Sequence, residues 1–150
     1  MCPYLQNVPV LTGRKKILLL SFTWGLPVSL VGCLFAAAML VTGHKPKRFG
    51  PCVYFECGHN WGGADCGWVF VVEKNASPRL MHHEMGHCFQ NCKFGLLMPF
   101  LVSIPSTCRY WYRRIYTAVT KKYPKTDYDD IWFEGQATRL GYEYMRMTKE

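Results

Sequence analysis

The sequence His82-His83-Glu84-Met85-Gly86-His87 contains the pattern H-E-x-x-H at residues 83–87 and decides how the surrounding chain is interpreted. Residues four apart lie on one face of a helix, so His83 and His87 can bind one metal ion together. Glu84 directly follows the first histidine and can reach a water on that metal. Zinc lowers the pKa of a bound water toward neutrality, and a nearby carboxylate can remove its proton. The stretch therefore predicts a zinc site suited to hydrolysis, most often of a peptide bond.

The residues around the motif predict the helix that carries it. Ser77-Pro78 is typical of an N-cap followed by proline at the first helical position, which places the helix from about Pro78 to about Cys92. A glycine inside a helix costs roughly 1 kcal/mol relative to alanine. Gly86 therefore suggests close approach of another backbone. The alternative is a helix whose histidines only satisfy hydrogen bonds in a core.

A catalytic zinc needs a third protein ligand. The extended motif H-E-x-x-H-x-x-G-x-x-H is absent, because Gln90 and Lys93 occupy its glycine and third histidine positions. No histidine follows His87. The third ligand is therefore expected to be a carboxylate or, less readily, a thiolate.

Glu134 is the preferred carboxylate because the stretch Trp132–Gly141 is predicted to be a second helix. Ala137 lies one turn after Glu134 on the same face, and a small residue there would let two helices pack closely. Glu143 is the alternative, since it is expected to face roughly the same side. The other downstream acids before Glu143 fall in a loop and are expected to be solvated: Asp127, Asp129 and Asp130.

These residues resemble the gluzincin type of zinc metallopeptidase, in which an H-E-x-x-H helix is followed by a helix bearing E-x-x-A. More closely, the chain is similar to a group of short bacterial membrane proteins with H-E-x-x-H, and the similarity covers most of the chain from about residue 17. It rests on four stretches: His83–Gln90, Pro99–Ser106, Arg109–Arg113 and Trp132–Ala137.

The resemblance implies that His83, His87 and Glu134 are zinc ligands and that Glu84 is the general base. It implies no particular substrate. Larger gluzincins often carry an aspartate after the alanine of E-x-x-A, where it supports a ligand histidine. Thr138 stands at that position here, which puts this support in doubt.

The distribution of basic residues indicates a membrane anchor rather than a nucleic-acid-binding protein. The 150 residues are 49% hydrophobic with a formal net charge of +8. The run from Ile17 to Thr42 contains no charged residue, and basic residues flank it on both sides. As one helix it would extend roughly 39 Å, enough to cross a hydrocarbon core of about 30 Å with tilt. A single-pass membrane protein with membrane lipid as a partner is expected, with a kink at Pro27 or a re-entrant hairpin as the lesser possibility. The flanking charges do not determine its orientation.

The remaining sequence predicts a small α+β domain. A tail at 1–13 and an anchor at 14–48 precede a zinc-hydrolase-like domain at 49–150. Val53–Cys57 and Trp68–Val72 are predicted strands that pair as a β-hairpin, with a glycine-rich loop between them. The second strand is the candidate edge strand for holding an extended substrate. The aromatic and basic stretch at 109–116 suggests either a helix at the membrane interface or an ordinary surface helix.

The sequence thus predicts a membrane-anchored zinc metallopeptidase that acts on a peptide or protein substrate. Arg139 and Tyr142, near Glu134, are the available candidates for stabilising the oxyanion. The competing hypothesis is a non-catalytic membrane protein that keeps zinc as a structural or partner-binding element. The eight scattered cysteines fit free thiols slightly better than disulfides.

Overall fold

The predicted α+β class is confirmed in the computed structural model, which describes residues 10–148. The tail predicted at 1–13 lies mostly outside these residues. Within the described part of the chain the α-helices are α1 (Arg14–Phe22), α2 (Leu26–Val41), α3 (Pro78–Phe94), α4 (Ile104–Thr120) and α5 (Trp132–Met147). The strands are β1 (Lys47–Phe49), β2 (Cys52–Glu56), β3 (Gly63–Cys66) and β4 (Val69–Val72).

The four strands form one sheet in the order β1-β2-β4-β3. The predicted strands do pair, as β2 and β4, but the predicted antiparallel hairpin is wrong because they run parallel. The glycine-rich segment between them is not simply a loop, since it contributes β3. A tight turn at Gly67, with a φ of 80°, lets β3 pair antiparallel with β4. The hairpin partner of β4 is therefore β3, which leaves β2 on the opposite side of β4.

Strand β4 lies inside the sheet and is buried on both faces. Phe70 and Val72 belong to a core cluster that they share with residues of α3, and Val69 and Val71 pack in a second cluster with Met39 of α2. All four residues of β4 are buried, as expected for a strand covered by helices on both faces. Strand β4 thus has α2 on one face and α3 on the other.

The N-terminal apolar run is not one helix, so the predicted single spanning helix is not observed. It divides into α1 and α2, which meet at an angle of 100°. Pro27 stands in the first turn of α2, where its missing N–H is tolerated. A β-carbon at Gly25 would lie 2.5 Å from the Asn91 side chain, so the bend fits closely against α3. Within the described residues, no helix has by itself the length and apolar composition of a membrane span; α1 and α2 meet that test only as a pair.

Helix α3 begins as predicted, with the Ser77 side chain accepting a hydrogen bond from the Leu80 N–H at 3.2 Å. It continues two residues beyond the predicted end. Helix α5 crosses it at close range, and the C-terminal end of α3 leads through a 3₁₀ turn (Gly95–Leu97) and a π-helical segment (Pro99–Ser103) into α4. Helices α3 and α5 together provide the candidate site.

Candidate metal centre

His83 and His87 lie one turn apart on α3, and both imidazoles are largely buried. Their Nε2 atoms are 3.2 Å apart, and the rings are nearly perpendicular. The i, i+4 spacing therefore directs both Nε2 atoms toward one point, as the sequence predicts.

Glu134 of α5 completes the group. Its Oε2 lies 3.1 Å from Nε2 of His83 and 3.3 Å from Nε2 of His87. The Glu134 side chain is fully buried, and neither of its oxygens has a hydrogen-bond partner. Burial opposes ionisation of this carboxyl, but the two imidazoles hold its pKa below the ordinary value.

The approach of α5 to α3 depends on small residues at the crossing. A β-carbon at Gly86 would overlap the Ala137 carbonyl oxygen, and one at Gly141 would overlap the His82 carbonyl oxygen. Ala137 is fully buried at this contact. The predicted reason for Gly86, close approach of another backbone, is therefore what the structure shows, and the predicted role of Ala137 is consistent with it.

A second set of hydrogen bonds orients the two imidazoles. Nδ1 of His87 is 2.7 Å from Oε1 of Gln90. The Gln90 amide nitrogen donates to the Phe133 carbonyl at 2.7 Å and to Oε1 of Gln136 at 3.0 Å. Because both amide hydrogens are used, Oε1 of Gln90 accepts from Nδ1–H of His87. This tautomer leaves the lone pair of Nε2 facing Glu134.

Thr138 performs the corresponding role for His83. Its hydroxyl Oγ1 lies 2.8 Å from Nδ1 of His83. Thr138 stands where larger gluzincins carry aspartate, and the structure shows that the threonine makes the contact expected of that aspartate. The support for His83 is therefore present, through a neutral hydroxyl instead of a carboxylate.

The three atoms fit the geometry of a small divalent cation. A tetrahedral zinc ion with bonds of about 2.05 Å holds its ligand atoms about 3.3 Å apart. The three separations here are 3.1, 3.2 and 3.3 Å. A buried carboxylate without a hydrogen-bond partner, facing two imidazole nitrogens, is also the environment that a cation satisfies. His83, His87 and Glu134 together could hold a metal ion, and they form one group in the described residues.

In the metal-free chain a proton competes for the same position. Burial by itself would lower the pKa of His87, but the Glu134 carboxylate outweighs this effect and raises that pKa to about 9. Burial lowers the pKa of His83. One of the two imidazoles can thus carry a proton toward Glu134 when no metal is bound.

Glu84 lies beside this group, on the wall of a cavity of about 350 Å³ that both histidines also line. The side chain is buried against β3, and a β-carbon at Gly63 would lie 2.6 Å from its Oε1. Burial raises the pKa of Glu84 to about 8, opposed by His87. The carboxylate is therefore placed where it can accept a proton from a group in the cavity.

The alternatives proposed from the sequence lie elsewhere. Glu143 was expected to face the same side as Glu134, which is wrong: nine residues make half a turn beyond two full turns, and Glu143 pairs with Arg139 at 2.9 Å on the outer side of α5. Tyr142 stacks on His82. Neither Arg139 nor Tyr142 lines the cavity.

The three loop acids are distinct from the metal group as well. Asp129 pairs with Arg79 at 2.7 Å, and Asp127 and Asp130 are exposed residues that cap a short 3₁₀ turn. Their predicted exclusion as ligands agrees with their positions.

Sequence reasoning missed several residues of the site. Gln90 and Thr138 could have been found, since each lies three or four residues from a ligand on its own helix. Tyr128 and Asp65 also line the cavity, and Tyr128 places its ring 5.9 Å from that of His83. Their positions depend on the sheet order and on a loop, and no local pattern in the sequence indicates them.

No family model, curated protein or solved structure matches the chain. The resemblance to gluzincins stays a prediction, and the geometry of this site is what supports a function.

Proposed function

We propose that the protein is a membrane-attached, zinc-dependent hydrolase that cleaves peptide bonds. The observation that carries the proposal is the triangle of His83, His87 and Glu134, whose atoms have the spacing of tetrahedral zinc ligands and whose imidazoles are held by Gln90 and Thr138. Three ligands beside a cavity leave room for a water and a substrate, which is the arrangement of a catalytic site.

A bound zinc supplies Lewis acidity and an acidified water. The remaining chemistry belongs to the chain. Glu84 accepts a proton from the attacking water and delivers it to the leaving nitrogen, and its burial raises its pKa toward the value such transfers favour. Tyr128, which lines the cavity beside His83, replaces Tyr142 and Arg139 as the candidate donor to the developing oxyanion.

The sheet edge beside Glu84 supports a peptide as the substrate. Strand β4 is internal, so it cannot serve as the predicted edge strand; β3 takes that place, and within residues 10–148 no strand pairs with its outer side. The Gly62 carbonyl accepts from the Glu73 N–H. Since bonded and non-bonded pairs alternate in an antiparallel ladder, the main-chain groups of Gly63 and Asp65 face outward. An extended peptide can pair with them next to Glu84.

A purely structural zinc is the alternative function. Structural sites are usually closed by four protein ligands. Here the described residues supply three, and the cavity adjoins them. The open position favours catalysis over a structural role.

Exposed apolar side chains support attachment to a membrane. Helix α2 leaves Leu34 72% exposed and Val41 87% exposed, and the segment before α4 leaves Phe100 69% exposed. Helix α4 is strongly amphipathic and has no buried residue. Such surfaces are unusual on a protein surrounded only by water and fit the membrane interface. Attachment through the bent α1–α2 pair and α4 replaces the single span expected from the sequence.

The test compares metal content and peptide cleavage in wild type, Glu134→Ala and Glu84→Gln, each purified in detergent without chelators. The proposal expects about one zinc per chain in wild type and Glu84→Gln, less in Glu134→Ala, and cleavage of a mixed peptide library by wild type alone. Zinc binding by both wild type and Glu84→Gln, with no difference in peptide cleavage between them, would favour the structural role. Wild type without zinc would overturn the proposal.

A further inference from the structure

Asp65 has no role in the mechanism above, although it lies in the same cavity as Glu84 and His87. Its Oδ1 is buried and has no hydrogen-bond partner. A buried carboxylate oxygen left without a partner costs free energy unless a ligand satisfies it. The residue is therefore a candidate for contact with a bound molecule.

The geometry of β3 places this carboxylate next to the reacting groups. Residues two apart in a strand face the same side, so Asp65 faces the side on which Gly63 meets Glu84. Burial raises the pKa of the Asp65 carboxyl to about 7, opposed by His87 and by a hydrogen bond from the Gly67 N–H. Asp65 thus stands two residues along β3 from the glycine that contacts Glu84, on the edge to which a substrate would pair.

Within residues 10–148, Asp65 has no partner of fixed positive charge in the cavity. No lysine or arginine is among the described residues that line this cavity. Buried carboxylates are normally paired, so a positive group on a bound molecule could pair with Asp65.

Another part of the cavity lining suits an aliphatic stem. Met98 and Val102 are buried there, and Trp111 lines the cavity with them. A cavity of about 350 Å³ lies at the small end of the range of ligand pockets. A cavity lined by both apolar side chains and the Asp65 carboxylate suits a group with a hydrocarbon body and a cationic head.

We propose that Asp65 forms the recognition site for an ammonium group of the substrate, carried either by a free peptide N-terminus or by a basic side chain. The inference rests on the proposed hydrolase function for its substrate, but the cation site itself exists independently of cleavage. Asp65 acts as a specificity residue, and Glu84 keeps the proton transfer.

The first test measures binding of n-butylammonium and of n-butanol to zinc-loaded protein by calorimetry. Wild type is compared with Asp65→Asn and with Glu143→Gln, which removes the same charge on the outer side of α5. A charge-assisted hydrogen bond predicts binding of the ammonium ion about 10- to 100-fold weaker in Asp65→Asn and unchanged in Glu143→Gln. Equal binding in wild type and Asp65→Asn, or no preference of wild type for the ammonium ion over the alcohol, would overturn the proposal. Asp65→Ser serves if the asparagine variant fails to fold.

The second test identifies the source of the ammonium group and separates the two proposals. Peptides with free or acetylated N-termini, and with lysine or norleucine inside, are titrated onto zinc-loaded Glu84→Gln protein with and without Asp65→Asn. Loss of affinity on acetylation indicates an N-terminus, and loss on replacing lysine indicates a side chain. Ammonium binding without cleavage by wild type would retain the subsite and overturn the peptidase. Cleavage by wild type that is unaffected by acetylation and by the replacement of lysine would retain the peptidase and overturn the subsite.

Discussion

Gly86 of α3 lies so close to Ala137 of α5 that a β-carbon on the glycine would overlap the Ala137 carbonyl oxygen. This contact sets the distance between the helix that carries both histidines and the helix that carries Glu134. The geometry of the metal group is therefore decided by a residue that has no side chain.

Replacing Gly86 with alanine is expected to push the two helices apart. Overpacking of this kind costs about 1–3 kcal/mol of stability, and the shift moves Glu134 away from the imidazoles. We expect weaker zinc binding in Gly86→Ala, measured by competition with a chromophoric chelator, and a lower melting temperature. Gly141→Ala, at the other backbone contact of the same crossing, should behave alike. Wild-type affinity in both variants would show that the helices tolerate the separation.

The hydroxyl of Thr138 is expected to support zinc binding through His83. Loss of such a partner typically weakens metal affinity 10- to 100-fold. Thr138→Val keeps the shape and removes the hydroxyl, so we expect this loss, whereas Thr138→Ser should stay near wild type. Zinc dissociation constants of the two variants give the answer. Equal affinities would mean that His83 is oriented by packing alone.

Gly63→Ala should impair hydrolysis without loss of metal. The added β-carbon would lie 2.6 Å from Oε1 of Glu84, and the flexible carboxylate must move to make room. We expect turnover of a cleaved peptide to fall while zinc content and melting temperature stay near those of wild type. Ala118→Ser, at an exposed position in α4 that does not line the cavity, is the control. Unchanged turnover in Gly63→Ala would argue against Glu84 as the base in its present position.

Zinc binding should release a proton at neutral pH. In the metal-free chain, burial by itself would lower the pKa of His87, but Glu134 raises that pKa to about 9, so the imidazole is protonated below that pH and must lose its proton to bind metal. Zinc affinity is therefore expected to fall as the pH falls below about 9. Calorimetric titrations at pH 7.5 in buffers of different ionisation enthalpy measure the proton count. The absence of any released proton would contradict the charged His87–Glu134 pair.

Membrane attachment should depend on the exposed apolar side chains and not on zinc. We expect Leu34→Ser combined with Phe100→Ser to reduce sedimentation of the protein with vesicles of phosphatidylglycerol and phosphatidylcholine. Burial of a large side chain contributes roughly 1.5–3 kcal/mol, so losing two should be readily measured. Tyr123→Ser, which alters an exposed ring in the polar loop after α4, should have little effect. Vesicle binding that persists in the double variant would contradict the role of these two exposed side chains in membrane attachment.

The metal group could be predicted from the sequence because the features that indicate it involve residues close together in the chain. Helix geometry accounts for three of its features: the i, i+4 spacing of His83 and His87, the cap at Ser77, and the small residue Ala137 one turn after Glu134. The error over Glu143 was one of helical phase, which the same geometry corrects.

The sheet and the N-terminal run were predicted less well, because their arrangement depends on contacts between distant residues. The turn at Gly67 pairs β3 with β4 and thereby makes β2 a parallel neighbour, which no property of β2 alone indicates. The bend between α1 and α2 depends on Gly25 fitting against Asn91, a residue 66 positions away. Asp65 lines the cavity because β3 pairs with β4 in this sheet.

The position of Glu134 in the chain also governs when the site can form during synthesis. The two histidines leave the ribosome well before the third ligand, and α3 alone offers the metal only two imidazoles. A chain interrupted before residue 134 therefore lacks a complete metal group. If the protein cleaves peptides, this order of synthesis keeps an unfinished molecule inactive until α5 has docked.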